Sequence, residues 1–315
     1  GGGGGGGGGV TFGAVLSDTS QTLTLTGPEA GVVVVTPATA LSITDNGGAV
    51  SATGDAYSRT ALKTLTLAAV TGTSDATINV SSDNTALIGA GSTITGKPNG
   101  TTTLVVTNPA TLTTTLTDID AITLQGASNT LTGINGGLAT GAHTLTIGAS
   151  TTSTSMTAAQ HNGFTTITAA DADNTITLSG ADNVTGNSAI ETYNLGNVGR
   201  TFTFATTANQ TAVSGTATDT FIVGANGAFT ATVEGISGAD VVYVAAGGTV
   251  SVATSDDWNA NSNTKNAGTA SVTAAADKDI NLSSATGSVG WTITGTSGAI
   301  GLTGASPGAT ASLVG

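Results

Sequence analysis

The sequence predicts an all-β protein, either an elongated β-solenoid-like fold or a tandem of β-sandwiches, with very little helix. Thr and Gly dominate the chain, with 65 Thr and 47 Gly among 315 residues, and Thr is a strong strand former. The charged fraction is 8%, so the Glu, Lys and Arg that amphipathic helices use are scarce. Short apolar runs alternate with polar residues, which is the period of a half-buried strand.

The alternation is clearest in Thr22-Leu23-Thr24-Leu25-Thr26, which places leucine on one face and threonine on the other. Gly, Asn, Asp and Ser clusters separate such runs at short intervals, which leaves no room for βαβ crossover helices. The strands predicted in the N-terminal half are Val10–Leu16, Gln21–Thr26, Val32–Thr36, Leu62–Leu67, Ala76–Val80, Ser92–Thr95, Thr101–Thr107, Thr111–Thr117, Ala121–Leu124 and Thr144–Ile147. Those predicted in the C-terminal half are Phe164–Thr168, Asn174–Leu178, Ile190–Leu195, Thr201–Ala205, Asp219–Val223, Ala228–Val233, Val241–Val244, Thr249–Ala253, Ala270–Ala274, Ile280–Leu282, Trp291–Ile293 and Ile300–Leu302.

Two short segments read as helical, Ser155–Asn162 and Ala260–Lys265. Thr and Ser accumulate without apolar partners near Ser150, which predicts a boundary between β-rich domains at 10–150 and 151–315. Nine glycines, Gly1–Gly9, precede the first domain and are interpreted as a flexible leader, a processed terminus or a stretch of unassigned residues.

The charge and residue inventory excludes several function classes. A net charge of −13 opposes binding to nucleic acid and to anionic lipid surfaces. The chain has no run of 18 or more apolar residues, so no membrane insertion is expected. It has no cysteine, which removes every thiolate site.

Enzymatic activity is not expected from this sequence. Only two histidines are present, His143 and His161, and both read as structural residues. A polysaccharide-active β-helix enzyme remains the weakest of three hypotheses. Its carboxylate pair would be Asp118 with Asp120 or Asp171 with Asp173, but Arg and clustered aromatic residues are missing.

Calcium is the metal ion that the sequence favours, because short acidic side chains lie in Gly- and Asn-rich turns. Asp and Asn are also common in turns for a purely structural reason, since they form Asx-turns. Both interpretations stay open. The candidate metal ligands are Asp118, Asp120, Asp171, Asp173, Asp182, Asp219 and Asp240.

Two segments carry a family resemblance, Gly215–Val223 and Val233–Val242. They resemble degenerate RTX-type calcium-binding repeats, as found in bacterial surface-layer (S-layer) proteins and type I secreted adhesins. The stretch Met156–Leu195 is similar to Thr- and Ala-rich modules of S-layer proteins. Ala or Thr replaces glycines of the full nonapeptide. The resemblance implies an extracellular lattice or fibre, often one that needs Ca²⁺.

Thr-x-Thr motifs also occur on flat faces of several ice-binding proteins, where one motif is needed in each coil. In this chain the motifs begin at unequal intervals, which predicts that they do not align. The motifs begin at Thr22, Thr64, Thr93, Thr113, Thr144, Thr166, Thr175, Thr201, Thr230 and Thr292.

The leading hypothesis is a self-assembling structural protein at the bacterial cell surface, a subunit of a surface layer or fibre. Few Lys or Pro residues are available to blunt strand edges, so neighbouring subunits could add strands. The first strand, Val10–Leu16, could be donated to a neighbour. The expected partners are further copies of the chain and cell-envelope polysaccharide, with Ca²⁺ at the contacts. The alternative is a β-repeat segment of a secreted adhesin that binds a surface ligand.

Overall fold

A computed structural model describes strands at residues 13–17, 22–27, 33–37, 41–45 and 48–51, residues 62–73, 75–136 and 143–295, and strands at 302–303 and 312–314. The run Gly1–Gly9 lies outside these residues. The predicted fold class is confirmed, because the described part is nearly all β and its parallel sheets form a β-solenoid of about nine turns. The chain divides into two compact units. Unit 1 is 1–151 with 164–166, and unit 2 is 152–163 with 167–315.

Unit 1 contains fifteen described strands and one single-turn helix. The helix, α1, spans Thr85–Ile88. The strands are β1 Gly13–Ser17, β2 Thr22–Gly27, β3 Val33–Pro37, β4 Leu41–Asp45, β5 Gly48–Ser51, β6 Thr64–Val70, β7 Ala76–Val80, β8 Thr93–Thr95, β9 Thr102–Val106, β10 Ala110–Thr111, β11 Thr115–Thr117, β12 Ala121–Leu124, β13 Ser128–Thr130, β14 Asn135–Gly136 and β15 Thr144–Ile147.

The main sheets of unit 1 are parallel. Strands β2, β6, β8, β11 and β14 pair side by side in one sheet, and β3, β7, β9, β12 and β15 form a second. Successive coils therefore add one strand to each sheet. Antiparallel pairing occurs where β1 joins β2 and where β3, β4 and β5 follow one another.

A column of aliphatic side chains fills the interior behind the first sheet of unit 1. Leu23, Leu65, Ile94 and Leu116 occupy equivalent positions on four adjacent strands, and all are buried. Burial of each such side chain stabilises the fold by about 1.5–3 kcal/mol. The predicted half-buried strand beginning at Thr22 is confirmed by this column.

Unit 2 contains the remaining strands and the helix α2, Ala158–Gly163. Strand β17 begins at Thr166, a residue grouped with unit 1. The strands are β16 Ser153–Thr157, β17 Thr166–Ala169, β18 Thr175–Ser179, β19 Val184–Thr185, β20 Thr192–Asn194, β21 Thr201–Thr203, β22 Gln210–Val213, β23 Thr220–Val223, β24 Ala231–Gly238, β25 Val241–Val244, β26 Thr249–Asn259, β27 Lys265–Asn266, β28 Thr269–Ala274, β29 Ile280–Asn281, β30 Thr286–Gly287, β31 Trp291–Gly295, β32 Leu302–Thr303 and β33 Ser312–Val314.

Unit 2 also consists of parallel sheets. Strands β16, β18, β20, β22, β24, β26, β28, β31 and β33 pair in that order, and β19, β21, β23, β25, β27 and β30 form the other main sheet. Its core holds aromatic contacts as well as aliphatic ones. The ring centroids of Tyr193 and Phe202 are 5.0 Å apart, and those of Trp258 and Trp291 are 5.8 Å apart at 77°.

The predicted helix at Ser155–Asn162 begins later than expected. Residues 153–157 form β16, which pairs with β18, and a capping box then starts α2. In this box Thr157 N donates to Gln160 Oε1 (2.8 Å), and Gln160 N donates to Thr157 Oγ1 (3.0 Å). The second helix prediction, Ala260–Lys265, is wrong, because this segment turns and then enters β27.

Candidate functional site

Three of the predicted calcium ligands are exposed and lie in turns. Asp171, Asp173 and Asp182 present their side chains to solvent. The carbonyl oxygen of Asp171 accepts a hydrogen bond from Asn174 Nδ2 at 2.6 Å, which closes the turn through the backbone. These three residues fit the structural interpretation of Asp in turns without requiring a metal ion.

Asp118 and Asp120 lie at a corner of unit 1, where the carboxylate of Asp120 connects two coils. Its Oδ2 accepts a hydrogen bond from Thr102 N at 2.7 Å, and its own N donates to Thr102 O at 2.9 Å. Asp118 has a φ of 51°, a conformation that Asp tolerates better than most residues. The carboxylate of Asp120 therefore serves as a hydrogen-bond acceptor, and Asp118 serves through its backbone conformation.

Asp219 and Asp240 are the two predicted ligands that the structure brings together. Both are buried, with 0% and 1% of their surface exposed. The Oγ of Ser214 lies 3.0 Å from Asp219 Oδ2 and 3.1 Å from Asp240 Oδ2. We call these three residues the Ser214 cluster. It joins two successive coils of unit 2, because Ser214 and Asp219 lie between β22 and β23 and Asp240 lies just before β25.

Hydrogen bonds from the backbone fix both carboxyl groups. Asp219 Oδ1 accepts from Arg200 N at 3.0 Å, and Asp240 Oδ1 accepts from Asp219 N at 2.8 Å. Asp240 Oδ2 also accepts from Ser237 N at 3.0 Å. With the contacts to Ser214, every carboxyl oxygen of the pair has a hydrogen-bond partner, as buried polar groups require.

The Ser214 cluster must hold an additional proton for both serine contacts to be hydrogen bonds. A hydroxyl donates only one hydrogen bond, so it cannot donate to Asp219 and Asp240 together. Burial raises the pKa of both carboxyl groups, and hydrogen bonds to the carboxylates oppose that rise. A carboxyl group that keeps its proton can donate to Ser214 Oγ, while the serine donates to the other carboxylate.

Arg200 provides the nearest positive charge to this cluster. Its side chain is buried, its Nη2 donates to Leu195 O at 2.8 Å, and burial lowers its pKa while the charge of Asp219 raises it. Its Nε and Nη1 find no hydrogen-bond partner within the described residues. The positive charge therefore lies inside the fold and partly offsets the acidic pair.

The described part of the chain contains no group of three or more His, Cys, Asp or Glu side chains that could hold a metal ion. Asp219 and Asp240 form a pair, Asp120 accepts a hydrogen bond from Thr102 N, and Asp171, Asp173 and Asp182 are exposed turn residues. Calcium binding stays a prediction at all seven positions.

Side chains of Asn and Asp repeatedly accept a backbone hydrogen bond from a neighbouring coil. Asn226 makes the most complete clamp, because its Oδ1 accepts from Thr249 N at 2.8 Å and its Nδ2 donates to Thr249 O at 2.9 Å. Asn183 and Asn209 similarly accept at 2.8 Å, from Thr201 N and Thr230 N. Their recurrence at intervals of about one coil is the signal that sequence reasoning missed.

His161 is buried in the interior of unit 2, as a structural residue would be. Its Nε2 lies 2.9 Å from the hydroxyl of Tyr193, which also accepts a hydrogen bond from Asn187 N at 2.9 Å. Burial lowers the pKa of His161, which favours neutral imidazole, and raises the pKa of Tyr193. The Tyr193 hydroxyl can donate to His161 Nε2 while it accepts from Asn187 N, so all three polar groups have partners. These residues therefore form a structural network.

Three of the Thr-x-Thr motifs of unit 1, those that begin at Thr22, Thr64 and Thr93, align with one another and with Thr115–Thr117 of β11, although their unequal spacing in the sequence predicts that they do not. The motif that begins at Thr144 lies in the second sheet, on β15. Four adjacent strands place two threonine rows on the outer side of the sheet, with the buried aliphatic column between them. Neighbouring residues in a row are about 4.8 Å apart. We call this surface the Thr-x-Thr face. It consists of Thr22, Thr24, Thr64, Thr66, Thr93, Thr95, Thr115 and Thr117.

Unit 2 has a single hydroxyl row of the same kind. Eight adjacent strands contribute one Ser or Thr each, seven of them partly exposed and Thr292 exposed, without a charged side chain in the row. The second outward row of this sheet is mixed and contains Glu234. The hydroxyl row consists of Ser153, Thr175, Thr192, Thr211, Thr232, Ser251, Ser271 and Thr292.

A groove of about 330 Å³ crosses the outer side of the other main sheet of unit 2. Tyr243 lies in it with 37% of its surface exposed, and the Nζ of Lys265 is 5.6 Å from the centroid of the Tyr243 ring. We call this feature the Tyr243 groove. It is lined by Thr220, Ile222, Val241, Tyr243, Ser262, Asn263, Lys265 and Thr286.

Among the described residues, no helix is both long enough and apolar enough to cross a membrane. The chain matches no protein-family model, no curated protein and no solved structure.

Proposed function

We propose that this protein is a self-assembling structural protein of the bacterial cell surface, a subunit of a surface layer or fibre. The observation that carries the proposal is the Thr-x-Thr face. Its eight threonines form two uncharged rows on adjacent parallel strands. A regular surface without charge allows two copies to associate without desolvating ions.

The side chains of the Thr-x-Thr face are suited to packing against an identical face of a second copy. Threonine exposes one methyl group and one hydroxyl group, so an identical opposing face can exchange hydrogen bonds and bury methyl surface. Charged residues make up 8% of the chain. Few like charges are therefore available to repel two such surfaces when they approach each other. Face-to-face association therefore complements the edge-to-edge pairing that the sequence favours.

Substitution of one threonine by lysine tests the role of the face. Thr66→Lys or Thr95→Lys places a charge in the middle of a row and should prevent assembly, because two copies would bury or oppose like charges. Thr73→Lys is the matched control, since Thr73 is exposed and lies outside the rows. Light scattering and negative-stain microscopy measure assembly. Assembly of both row variants at the wild-type level would contradict the proposal.

Donation of the first strand is a separate hypothesis. Strand β1 pairs antiparallel with β2 of the same chain, from Gly13 opposite Thr26 to Ser17 opposite Thr22. Donation would therefore require an exchange of β1 between copies. Deletion of residues 1–17 should abolish polymers if exchange operates, and polymers that still form would exclude it.

Calcium dependence is tested by removal of the ion. Chelation should loosen the polymers if Ca²⁺ neutralises acidic side chains at the contacts between subunits, since the chain carries a net charge of −13. Restored assembly with Ca²⁺, but not with monovalent salt, separates specific binding from charge screening. Polymers unchanged by the chelator would remove calcium from the mechanism.

The same face favours ice or water ordering as a second candidate function. In-register threonine rows on a parallel sheet provide hydroxyls at an interval of about 4.8 Å between strands. Ice recrystallisation assays on the wild type, Thr66→Lys and Thr73→Lys test this activity. Inhibition lost only in Thr66→Lys would support it, and a wild type without inhibition would exclude it.

A further inference from the structure

We propose that the Tyr243 groove is a binding site for a carboxylate-bearing saccharide. The site does not rest on self-assembly, and it takes a soluble or surface-bound acidic sugar chain as its ligand. Its volume, about 330 Å³, lies at the lower end of the range for small-molecule sites, which is about 300–1,000 Å³. Four strands of one rigid parallel sheet, β23, β25, β27 and β30, supply most of its lining.

The positive charge of Lys265 favours an anionic ligand at this groove. Lys265 is the one charged residue in its lining, within a chain that has four lysines and 19 acidic residues. It forms no salt bridge within the described residues, whereas Lys278 is paired with Asp256 at 2.7 Å. Its ammonium group instead lies against the Tyr243 ring and retains capacity to donate hydrogen bonds.

The aromatic ring gives the groove an apolar platform. Tyr243 follows Ile222 in the outward row of the sheet, and its hydroxyl makes no hydrogen bond within the described part of the chain. Most other aromatic rings of unit 2 are buried. An exposed ring beside polar groups suits the C–H face of a sugar, since it combines apolar contact with a polar tip.

Polar side chains around the ring match the hydroxyl groups of a saccharide. Ser262 and Asn263 are exposed at the groove, and the backbone N of Asn263 is held by Asn261 Oδ1 at 2.8 Å. Thr286 Oγ1 lies 3.3 Å from Ser262 O, which fixes that turn against the neighbouring coil. The hydroxyl and amide groups thus lie on a preorganised turn, which reduces the entropy cost of binding.

A carboxylate fits this donor set better than a phosphate. Lysine is a single point charge, and the groove has neither the arginine fork nor the helix N-terminus that phosphate sites commonly use. One ammonium can neutralise one carboxylate, while Ser262, Asn263 and Tyr243 contact the sugar ring. A uronic acid chain supplies both groups in one ligand.

Titration of the full chain with trigalacturonate tests the proposal, with maltotriose as the neutral saccharide. Trigalacturonate should bind, its affinity should fall with added salt, and maltotriose should bind at least about tenfold more weakly. Lys265→Met should weaken trigalacturonate binding about tenfold or more, and Lys265→Arg should retain most of it. Tyr243→Ala should also weaken binding, while Tyr243→Phe keeps the ring.

Lys278→Met is the matched control, because it removes an exposed lysine that already has a carboxylate partner. Circular dichroism verifies that each variant is folded. Equal binding of both saccharides, no binding of trigalacturonate, or wild-type affinity in Lys265→Met would overturn the proposal. Light scattering separates this site from assembly, since Lys265→Met should polymerise normally and Thr66→Lys should still bind the sugar.

Discussion

The amide nitrogen of Asp219 donates a hydrogen bond to Oδ1 of Asp240, 2.8 Å away, so two buried acidic residues are coupled across adjacent coils. Ser214 then bridges their remaining oxygens. Because burial raises the pKa of both carboxyl groups, we expect the stability of unit 2 to depend on their protonation. The arrangement also gives the carboxyl groups of two of the seven predicted metal ligands hydrogen-bond partners inside the protein.

Asp219→Asn should make the fold less sensitive to rising pH. Burial raises the pKa of Asp219 and Asp240, so the folded state binds more protons than the unfolded state above the ordinary Asp value of about 3.9. The stabilising proton is present below that value and is lost as pH rises through the raised pKa. The amide of Asn can donate to Ser214 without titrating.

Unfolding free energies measured by denaturant between about pH 4 and about pH 8 check this prediction. The wild type should lose stability relative to Asp219→Asn as pH rises. Asp171→Asn, at an exposed turn, is the control and should follow the wild type. Parallel curves for the wild type and Asp219→Asn would show that the pair does not share a proton.

Tyr193→Phe should destabilise the protein by about 1–3 kcal/mol, because two buried polar groups lose a partner. Those groups are His161 Nε2 and Asn187 N, each 2.9 Å from the tyrosine hydroxyl. Tyr243→Phe is the matched control, since its hydroxyl faces solvent, and it should change stability by less than about 0.5 kcal/mol. Equal effects of the two changes would refute a buried network at His161.

Gly96→Ala should destabilise unit 1 severely. A Cβ atom at position 96 would lie 1.9 Å from the carbonyl oxygen of Asp118, and the backbone of the next coil would have to move. Overpacking of this kind costs about 1–3 kcal/mol or more. Gly163→Ala is the control, because nothing lies within 4 Å of its Cβ position. Thermal unfolding compares them, and similar midpoints would argue against the close approach of coils.

Asn226→Ala should cost about 1–3 kcal/mol through the loss of both hydrogen bonds to Thr249. Asn197→Ala should cost less, since Asn197 accepts one longer hydrogen bond, from Thr216 N at 3.2 Å in an exposed setting. Denaturant unfolding measures both variants. A larger loss for Asn197→Ala would mean that the clamps do not contribute as their geometry indicates.

Strand identity was largely predictable, because side-chain alternation reports burial directly. Leu23 is buried between two partly exposed threonines, as its place in the Thr-Leu alternation predicts. The helix at Ala158 was placed too early, because β16 extends through Thr157 before the capping box acts. Pairing of β16 with β18 sets this boundary, and the partner strand cannot be identified from the local sequence.

The clustering of Asp219 with Asp240 was not predictable from local motifs. The two residues are 21 positions apart, and the lengths of the intervening strands and corners set whether they face each other. The Tyr243 groove was missed for the same reason. Tyr243 and Lys265 are 22 residues apart, and the parallel register places them on neighbouring strands.

The amino-acid sequence by itself determined that the chain is β-rich, poor in charged residues and built from strands with a threonine side and an aliphatic side. Tertiary structure alone decided the alignment of those sides. Thr22, Thr64, Thr93 and Thr115 are separated by 42, 29 and 22 residues, yet they stand in one row. Corners and inserted strands absorb the differences in length, whereas backbone hydrogen bonds and the buried column of Leu and Ile fix the register.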